Sequence, residues 1–352
     1  MNAVVSKLPE SHPARLPARL FLTGGSGYVG RNLIRHFVSQ GVEVIALARS
    51  PAAQDTIRAS GANPFEGDLL SENLATGMAG CDALIHAAAD TDHGLSTDAQ
   101  FQTNVIGTRH VFAAAARAGV RRAVHLSTES VLLDGSPLVD AEESRSIPTR
   151  PVGGYSATKA LAEREAIAAA RHGLDVVIVR PRFIWGRDDT TALPQLLQAV
   201  DAGKFAWIDG GRYRTSTTHI GNLVHGIERA LIAGETGACY FITDDDIVEF
   251  RAFISALLQS QGRSVPTKEV PGWVVRAVAS VCERLSSLTG GRWRPPVTRQ
   301  ALAPSAVEVT LNIDKARREL GYQPQISRAQ GLEELTLEDR GEKGHLTRSK
   351  LT

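Results

Sequence analysis

Cysteine is nearly absent: Cys81, Cys239 and Cys282 are scattered through 352 residues, odd in number and without metal-ligand spacing. That excludes a disulfide framework and a cysteine-based metal site, and leaves reduced, buried thiols of a cytoplasmic protein as the expectation. Charge of one sign is equally scarce. The chain carries 39 Lys and Arg against 38 Asp and Glu, with no basic stripe, so no nucleic acid partner is expected. No run of 18 apolar residues occurs, so no integral membrane segment is expected. Residues 1–18 hold three prolines but no apolar signal-peptide core and read as a flexible leader; 336–352 read as a disordered tail.

What the chain does contain is apolar patterning of two kinds. Short apolar runs at 19–23, 42–48, 83–86, 123–126 and 175–179 suit buried strands. Between them, 29–39 and stretches near 98–118 and 154–172 carry helical spacing. Strands alternating with helices predict an α/β fold, a doubly wound parallel sheet of the Rossmann kind. After Arg180-Pro181 the rhythm changes: helices at 193–202, 219–230 and 250–259, a Gly-rich polar stretch at 209–218, and a strand at 238–243. We therefore expect a dinucleotide-binding domain over 19–181, to which 217–245 return. A smaller, discontinuous C-terminal substrate lobe would comprise 182–216 and 246–335. The most apolar late segment is 271–288, interrupted by Arg276, Glu283 and Arg284. It fits a helix capping an apolar pocket, a core helix, or a helix touching a membrane surface, but not a span.

Gly24, Gly27 and Gly30 stand three apart between the first strand and the first helix. Glycine there allows a tight turn and close approach of a pyrophosphate, whose charge is met by the free N–H groups of the helix start. At the end of the second strand, an acid would bind the adenosine ribose and repel a 2′-phosphate. The chain instead reads Ala46-Leu47-Ala48-Arg49-Ser50. A guanidinium beside a missing carboxylate favours NADP(H) over NAD(H), the alternative being a solvated loop charge. Asp68, in Glu66-Gly67-Asp68-Leu69, is placed either to accept a bond from the adenine amino group or to form a turn.

Tyr155 and Lys159 are four residues apart, on one face of a helix. A phenol with a pKa near ~10 is a poor base at neutral pH. An ammonium beside it stabilises the phenolate and lowers that value, and the same lysine can hold ribose hydroxyls. The preceding strand ends in Leu126-Ser127-Thr128-Glu129, which offers a hydroxyl to a substrate oxygen. No metal site is expected.

These pieces together make the chain resemble the extended short-chain dehydrogenase/reductase superfamily from about 19 to 335. The matching motifs run from Thr23 through Tyr28 and Val29 to Gly30, then Gly67-Asp68-Leu69, His86-Ala87-Ala88-Ala89, Asn104 to Thr108, Leu126-Ser127-Thr128, the Tyr155/Lys159 pair and Arg180-Pro181. Arg182-Phe183-Ile184-Trp185-Gly186 and Asn312 through Pro324 look most like the 3β-hydroxysteroid dehydrogenase and dihydroflavonol reductase branch. The resemblance implies Thr128 (or its neighbour Ser127) as the hydroxyl holding the substrate oxygen, Tyr155 as acid/base and Lys159 as its partner. It implies cofactor contacts from the loop residues Gly24 to Gly30, including Tyr28 and Val29, from Arg49, Asp68 and Leu69, and from Tyr155 and Lys159. Ala87, Ala88 and Ala89 would let the backbone pass the cofactor, and Pro181 through Ile184 would pass the nicotinamide. Asn104 would either brace backbone or take a catalytic role. A homodimer through the two long helices is also implied.

Sugar dehydratases of this superfamily follow the threonine with an Asp-Glu pair, whereas this chain reads Thr128-Glu129-Ser130. Dehydration is therefore not expected, and Glu129 reads either as a solvent-facing loop carboxylate or as an acid/base. The expected function is interconversion of a secondary alcohol and a ketone on an apolar small molecule of steroid, flavonoid or β-hydroxy acyl type. A nucleotide-sugar epimerase, with Arg187, Arg212 and Arg214 on a diphosphate, and a non-catalytic NADP(H)-sensing protein are the rivals.

Overall fold

The computed structural model describes residues 15–92, 97–288 and 306–337. Most of the expected leader and tail lie outside these residues. Seven parallel strands form the central sheet, in the order Cys239–Ile242, Asp175–Pro181, Arg122–Leu126, Ala83–His86, Arg19–Thr23, Glu43–Ala48, Asn63–Glu66. The order reverses on either side of Arg19–Thr23, as in a doubly wound α/β fold. Both faces of the sheet are covered, which is why its central strands are mostly apolar on both sides rather than alternating. Leu20 and Leu22 join the core on one face while Phe21 joins the other. Val177 and Val179 divide from Val176 and Ile178 in the same way.

The remaining strands are short and mixed. Val248–Glu249, Arg214–Thr215, Val309–Leu311 and Leu138–Ala141 form a four-stranded sheet, so one strand from the first half pairs with one near the C-terminus. A third core cluster around Trp185, Trp207 and Phe253 lies with this part. The buried Asp244 carboxylate ties the two regions together. It accepts from Trp185 Nε1, Thr217 Oγ1, the His219 amide and Asn222 Nδ2, all within 2.9 Å.

The helix expected near 98–118 is present from Asp98 to Arg117, with one wide π turn at Gln102–Ile106 between Asp98–Phe101 and Gly107–Arg117, a feature common at functional sites. Two other expectations need correction. The polar stretch at 209–218 holds strand residues Arg214–Thr215 and the start of Thr218–His219; two-residue strands have no readable period. The segment 271–288 does form a helix, Gly272–Leu288, but it is not a core helix. Of its hydrophobic residues only Ala279 is buried, while Trp273, Val278, Val281, Leu285 and Leu288 are exposed. Among the described residues no helix is long and apolar enough to cross a membrane.

Candidate active site

The carboxyl ends of the parallel strands bring the glycine loop, Arg49, Asp68, Ala87 to Ala89, Thr128 and Pro181 to one edge of the sheet. A crevice at the point of order reversal is where such folds bind dinucleotides. The three glycines there are not equivalent. Gly24 has φ of 78°, and a Cβ on it would lie 2.8 Å from the Ala88 nitrogen. A Cβ on Gly30 would lie 2.1 Å from the Gly24 carbonyl oxygen. Those two are required by packing of the protein on itself. A Cβ on Gly27 would meet only the Gly24 oxygen, at 3.3 Å, so packing alone does not demand glycine at that position. Gly27 precedes the helix Tyr28–Ser39, whose N-terminus has no side-chain cap and no acidic residue in its first turn. The free N–H groups and the positive end of the helix dipole favour negative charge there. Tyr28 is buried and Val29 half-buried.

Behind the loop lies a hydrogen-bond chain whose direction follows from its ends. Thr108 Oγ1 donates to the Asn104 carbonyl at 2.6 Å, so it accepts from His86 Nε2 at 2.8 Å. His86 Nδ1 is then the acceptor for the Thr23 hydroxyl at 2.7 Å, and Thr23 Oγ1 accepts from the Ala88 amide at 3.2 Å. His86 is neutral, its pKa pushed down to about 3 by burial and by the charge of Lys159. Asn104 braces backbone, accepting from the Asp90 amide at 2.7 Å and donating to the Asp90 carbonyl at 3.0 Å.

Tyr155, Lys159 and Glu163 are spaced by four on the helix Gly153–Arg171 and share its inward face. Lys159 Nζ donates to the Leu126 carbonyl at 2.7 Å. Burial pushes its pKa down to about 8, with Glu163 acting against the shift. Glu163 is fully buried and accepts a bidentate pair from Arg180, at 2.8 and 2.6 Å, together with the Ser127 hydroxyl. Ser127 therefore faces Glu163 and leaves Thr128 as the hydroxyl bonded to Tyr155.

The expectation that Lys159 lowers the Tyr155 pKa is not met. The phenol is held above its ordinary range, by burial first and then by the Glu129 carboxylate, with the Thr128 hydrogen bond acting the other way. Glu129 is not a solvent-facing loop carboxylate. It is buried, accepts from Thr128 Oγ1 at 2.8 Å through Oε2, and accepts from Arg182 at 2.6 Å through Oε1. Arg182 is 1 % exposed and also donates to Thr215 Oγ1 at 3.0 Å. Thr128 Oγ1 thus stands between the Glu129 carboxylate, to which it donates, and the Tyr155 phenol, and it also accepts from the Ser130 amide at 3.2 Å. The resulting chain runs from Tyr155 through Thr128 to Glu129 and Arg182. Sequence reasoning missed Glu163 altogether, although it continues the four-residue spacing of Tyr155 and Lys159, and named Arg182 only as part of a motif, not as the partner of Glu129.

Arg49 is exposed at the end of its strand, and Ser50 caps the next helix, accepting from the Ala53 amide at 3.3 Å. Asp68 is exposed and forms a turn, its carboxylate accepting from the Leu70 amide at 2.7 Å. Leu69 packs inward, against Gly107. Ala87 and Ala88 lie against Gly24, and Ala89 follows them, half-buried. Pro181 ends its strand, and Ile184 pairs with Thr218. Between them Phe183 adopts φ of 39°, a strained conformation for a bulky side chain. Arg187 and Arg212 are exposed, and Arg214 pairs with Glu308 at 2.9 Å. Among the described residues no group of three His, Cys, Asp or Glu side chains is placed to hold a metal.

Comparison with known proteins gives a match of residues 20–242 to the NAD dependent epimerase/dehydratase family. The chain is 48 % identical to a 4-hydroxy-2-methyl-3-oxo-4-farnesyl-3,4-dihydroquinoline-1-oxide ketoreductase of Stigmatella aurantiaca, covering 90 % of this chain and 95 % of that protein. It is 32 % identical to a 2-alkyl-3-oxoalkanoate reductase of Stenotrophomonas maltophilia, covering 90 % and 98 %. It is 31 % identical to a 3-beta-hydroxysteroid dehydrogenase of Mycolicibacterium neoaurum, covering 90 % of each.

Proposed function

Because this chain belongs to the NAD-dependent epimerase/dehydratase family and is an NAD(P)-dependent oxidoreductase of the extended short-chain type, we propose that it reduces a ketone on an apolar small molecule to a secondary alcohol, with Tyr155 as proton donor. The observation that carries this reading is the bonding of Tyr155 to Thr128, in a chain that ends on the buried Glu129–Arg182 pair. A phenol held protonated is an acid, as reduction requires. The uncapped helix start after Gly27 and the backbone-to-backbone closeness of Gly24 and Ala88 fit a dinucleotide. A nicotinamide bound here would supply the hydride. Tyr155 would give its proton to the developing alkoxide. Thr128 would orient that phenol, and Lys159, desolvated beside Leu126, would hold the cofactor's ribose hydroxyls. Glu163 fixes the helix face by gripping Arg180 and Ser127.

The substrate class rests on relatives named for a farnesyl quinoline oxide, an alkyl oxoalkanoate and a steroid, each joining an oxo or hydroxy group to an apolar body. NADP(H) is favoured because the strand Glu43–Ala48 ends without an acid and Arg49 stands exposed beside that end. Residues 19–181 with 217–245 form the cofactor domain in this reading, supported by the place of Cys239–Ile242 in the central sheet. Elimination of water is disfavoured, since Glu129 is committed to Thr128 and Arg182 rather than free as a base.

Tyr155→Phe tests the assignment. With NADPH and a panel of 2-alkyl-3-oxoacyl and cyclic ketones, turnover should fall by about 10²–10⁴-fold while cofactor binding is kept. Unchanged turnover would refute the role of Tyr155. Isomerisation of a nucleotide sugar without net change in nicotinamide absorbance would replace the reading with an epimerase.

A further inference from the structure

We propose that the helix Gly272–Leu288 docks on the surface of an anionic phospholipid bilayer. The helix is held to the protein at its start, where the Gly272 amide donates to Asp209 Oδ1 at 2.7 Å and the strand Glu269–Val270 pairs with Trp207–Ile208. Beyond that anchor its apolar side chains do not face the core. Trp273, Val278, Val281, Leu285 and Leu288 are between 46 and 82 % exposed, and Ala277 is exposed with them. At 100° per residue all six fall on one side of the helix, and the buried Ala279 falls on the opposite side. Scattered surface hydrophobics need no explanation, but a stripe about four turns long on one helix does.

Charge separates a bilayer from the other possible occupants. Arg276 and Arg284 are exposed; at 100° per residue Arg276 lies beyond the Trp273 edge of the stripe and Arg284 lies within it, between Trp273 and Ala277. Residues 268–305 carry six basic residues against two acidic ones, in a chain whose total is 39 to 38. Exposed arginines on an exposed apolar helix, in a segment of basic excess, are the pattern of a helix lying in a membrane interface with cations meeting lipid phosphates. The tryptophans agree. Trp185 and Trp207 are fully buried, whereas Trp273 stands at the end of the stripe, where an indole suits the boundary between headgroups and chains. The helix has 17 residues, too few and too charged to span, and long enough to lie flat. This inference is independent of the proposed reaction.

The test is flotation of the full chain with vesicles of phosphatidylcholine mixed with phosphatidylglycerol, and of phosphatidylcholine alone. Binding to the mixed vesicles that weakens with salt is expected, together with a blue shift of tryptophan emission. Val281→Asp with Leu285→Asp should reduce the bound fraction more than about tenfold. Arg276→Glu with Arg284→Glu should remove the preference for the anionic lipid. Both pairs lie at exposed positions, so the thermal midpoint should stay unchanged; if the aspartates disturb folding, the charge reversal alone decides. No flotation, or binding that survives both variants, overturns the proposal. Self-association in sedimentation velocity that the aspartate pair abolishes, without vesicle binding, assigns the stripe to a second copy and overturns it equally.

Discussion

Replacing Glu129 with glutamine keeps shape and volume and removes one charge, and the structure fixes what each half of the new amide meets. The carbonyl stays on Arg182, which can only donate, so the amide nitrogen takes the place of Oε2 beside Thr128 Oγ1. Thr128 then accepts where it had donated, and its own proton must turn away from residue 129. Two effects of known sign follow. The Arg182 guanidinium, 1 % exposed, loses its counter-charge. Removing one partner of a buried pair costs about 3–5 kcal/mol, and the retained carbonyl reduces this to about 2–4 kcal/mol. Urea unfolding followed by circular dichroism should show that loss as a lower midpoint at unchanged slope.

The second effect is kinetic. Glu129 raises the Tyr155 pKa, so its neutralisation makes the phenol more acidic. In the oxidative direction the ionised phenol is the working form, and the rising limb of the pH profile should move to lower pH. In the reductive direction the protonated phenol works, and the falling limb should move the same way. A limb that stays in place, or moves to higher pH, would refute the Tyr155–Thr128–Glu129 chain. A stability loss under about 0.5 kcal/mol would refute the buried ion pair.

The glycine loop separates two kinds of requirement: Gly30→Ala should cost at least about 3 kcal/mol of stability, because its Cβ would meet the Gly24 oxygen at 2.1 Å. Gly27→Ala, with only a 3.3 Å contact, should fold normally and weaken NADPH binding in a fluorescence titration. Arg49→Asp should reverse the ratio of kcat/KM for NADPH over NADH; an unchanged ratio would assign Arg49 to solvent. Three buried histidines predict acid lability. His86 and His219 are pushed down to about 3 and about 4, and His125 well below its ordinary value, by burial in each case. The unfolded chain binds protons on all three near pH ~6.5 and the folded chain does not. Stability should therefore fall as pH drops from about 6.5 towards 4, with these three adding a slope of up to about 4 kcal/mol per pH unit. Flat stability through that window would show the histidines able to charge in place.

Where sequence reasoning succeeded, the deciding interaction was local. Strands such as Arg19–Thr23 and Asp175–Pro181 were legible because a strand covered on both faces carries a run of apolar residues, Leu20–Leu22 and Val176–Val179, whatever covers it. Tyr155 and Lys159 were legible because spacing alone puts them on one helix face. Their electrostatics were not, because these depend on partners brought in by the fold. Lys159 Nζ reaches the Leu126 carbonyl, 33 residues away, and the charge that acts on the phenol comes from Glu129 on a different element. Glu129 in turn owes its burial to Arg182, 53 residues further on. Period carries no information about such pairs, so Glu129 read either as a solvent-facing carboxylate or as an acid/base when it is the buried partner of Thr128 and Arg182. The Gly272–Leu288 helix fails in the opposite direction. An apolar stripe on a helix has the same sequence whether protein or lipid covers it, and only the exposure of Val281 and Leu285 separates the two. Sequence pattern thus specifies which face of an element seeks an apolar partner; the identity of that partner, like the partner of a buried charge, is a property of the assembled fold.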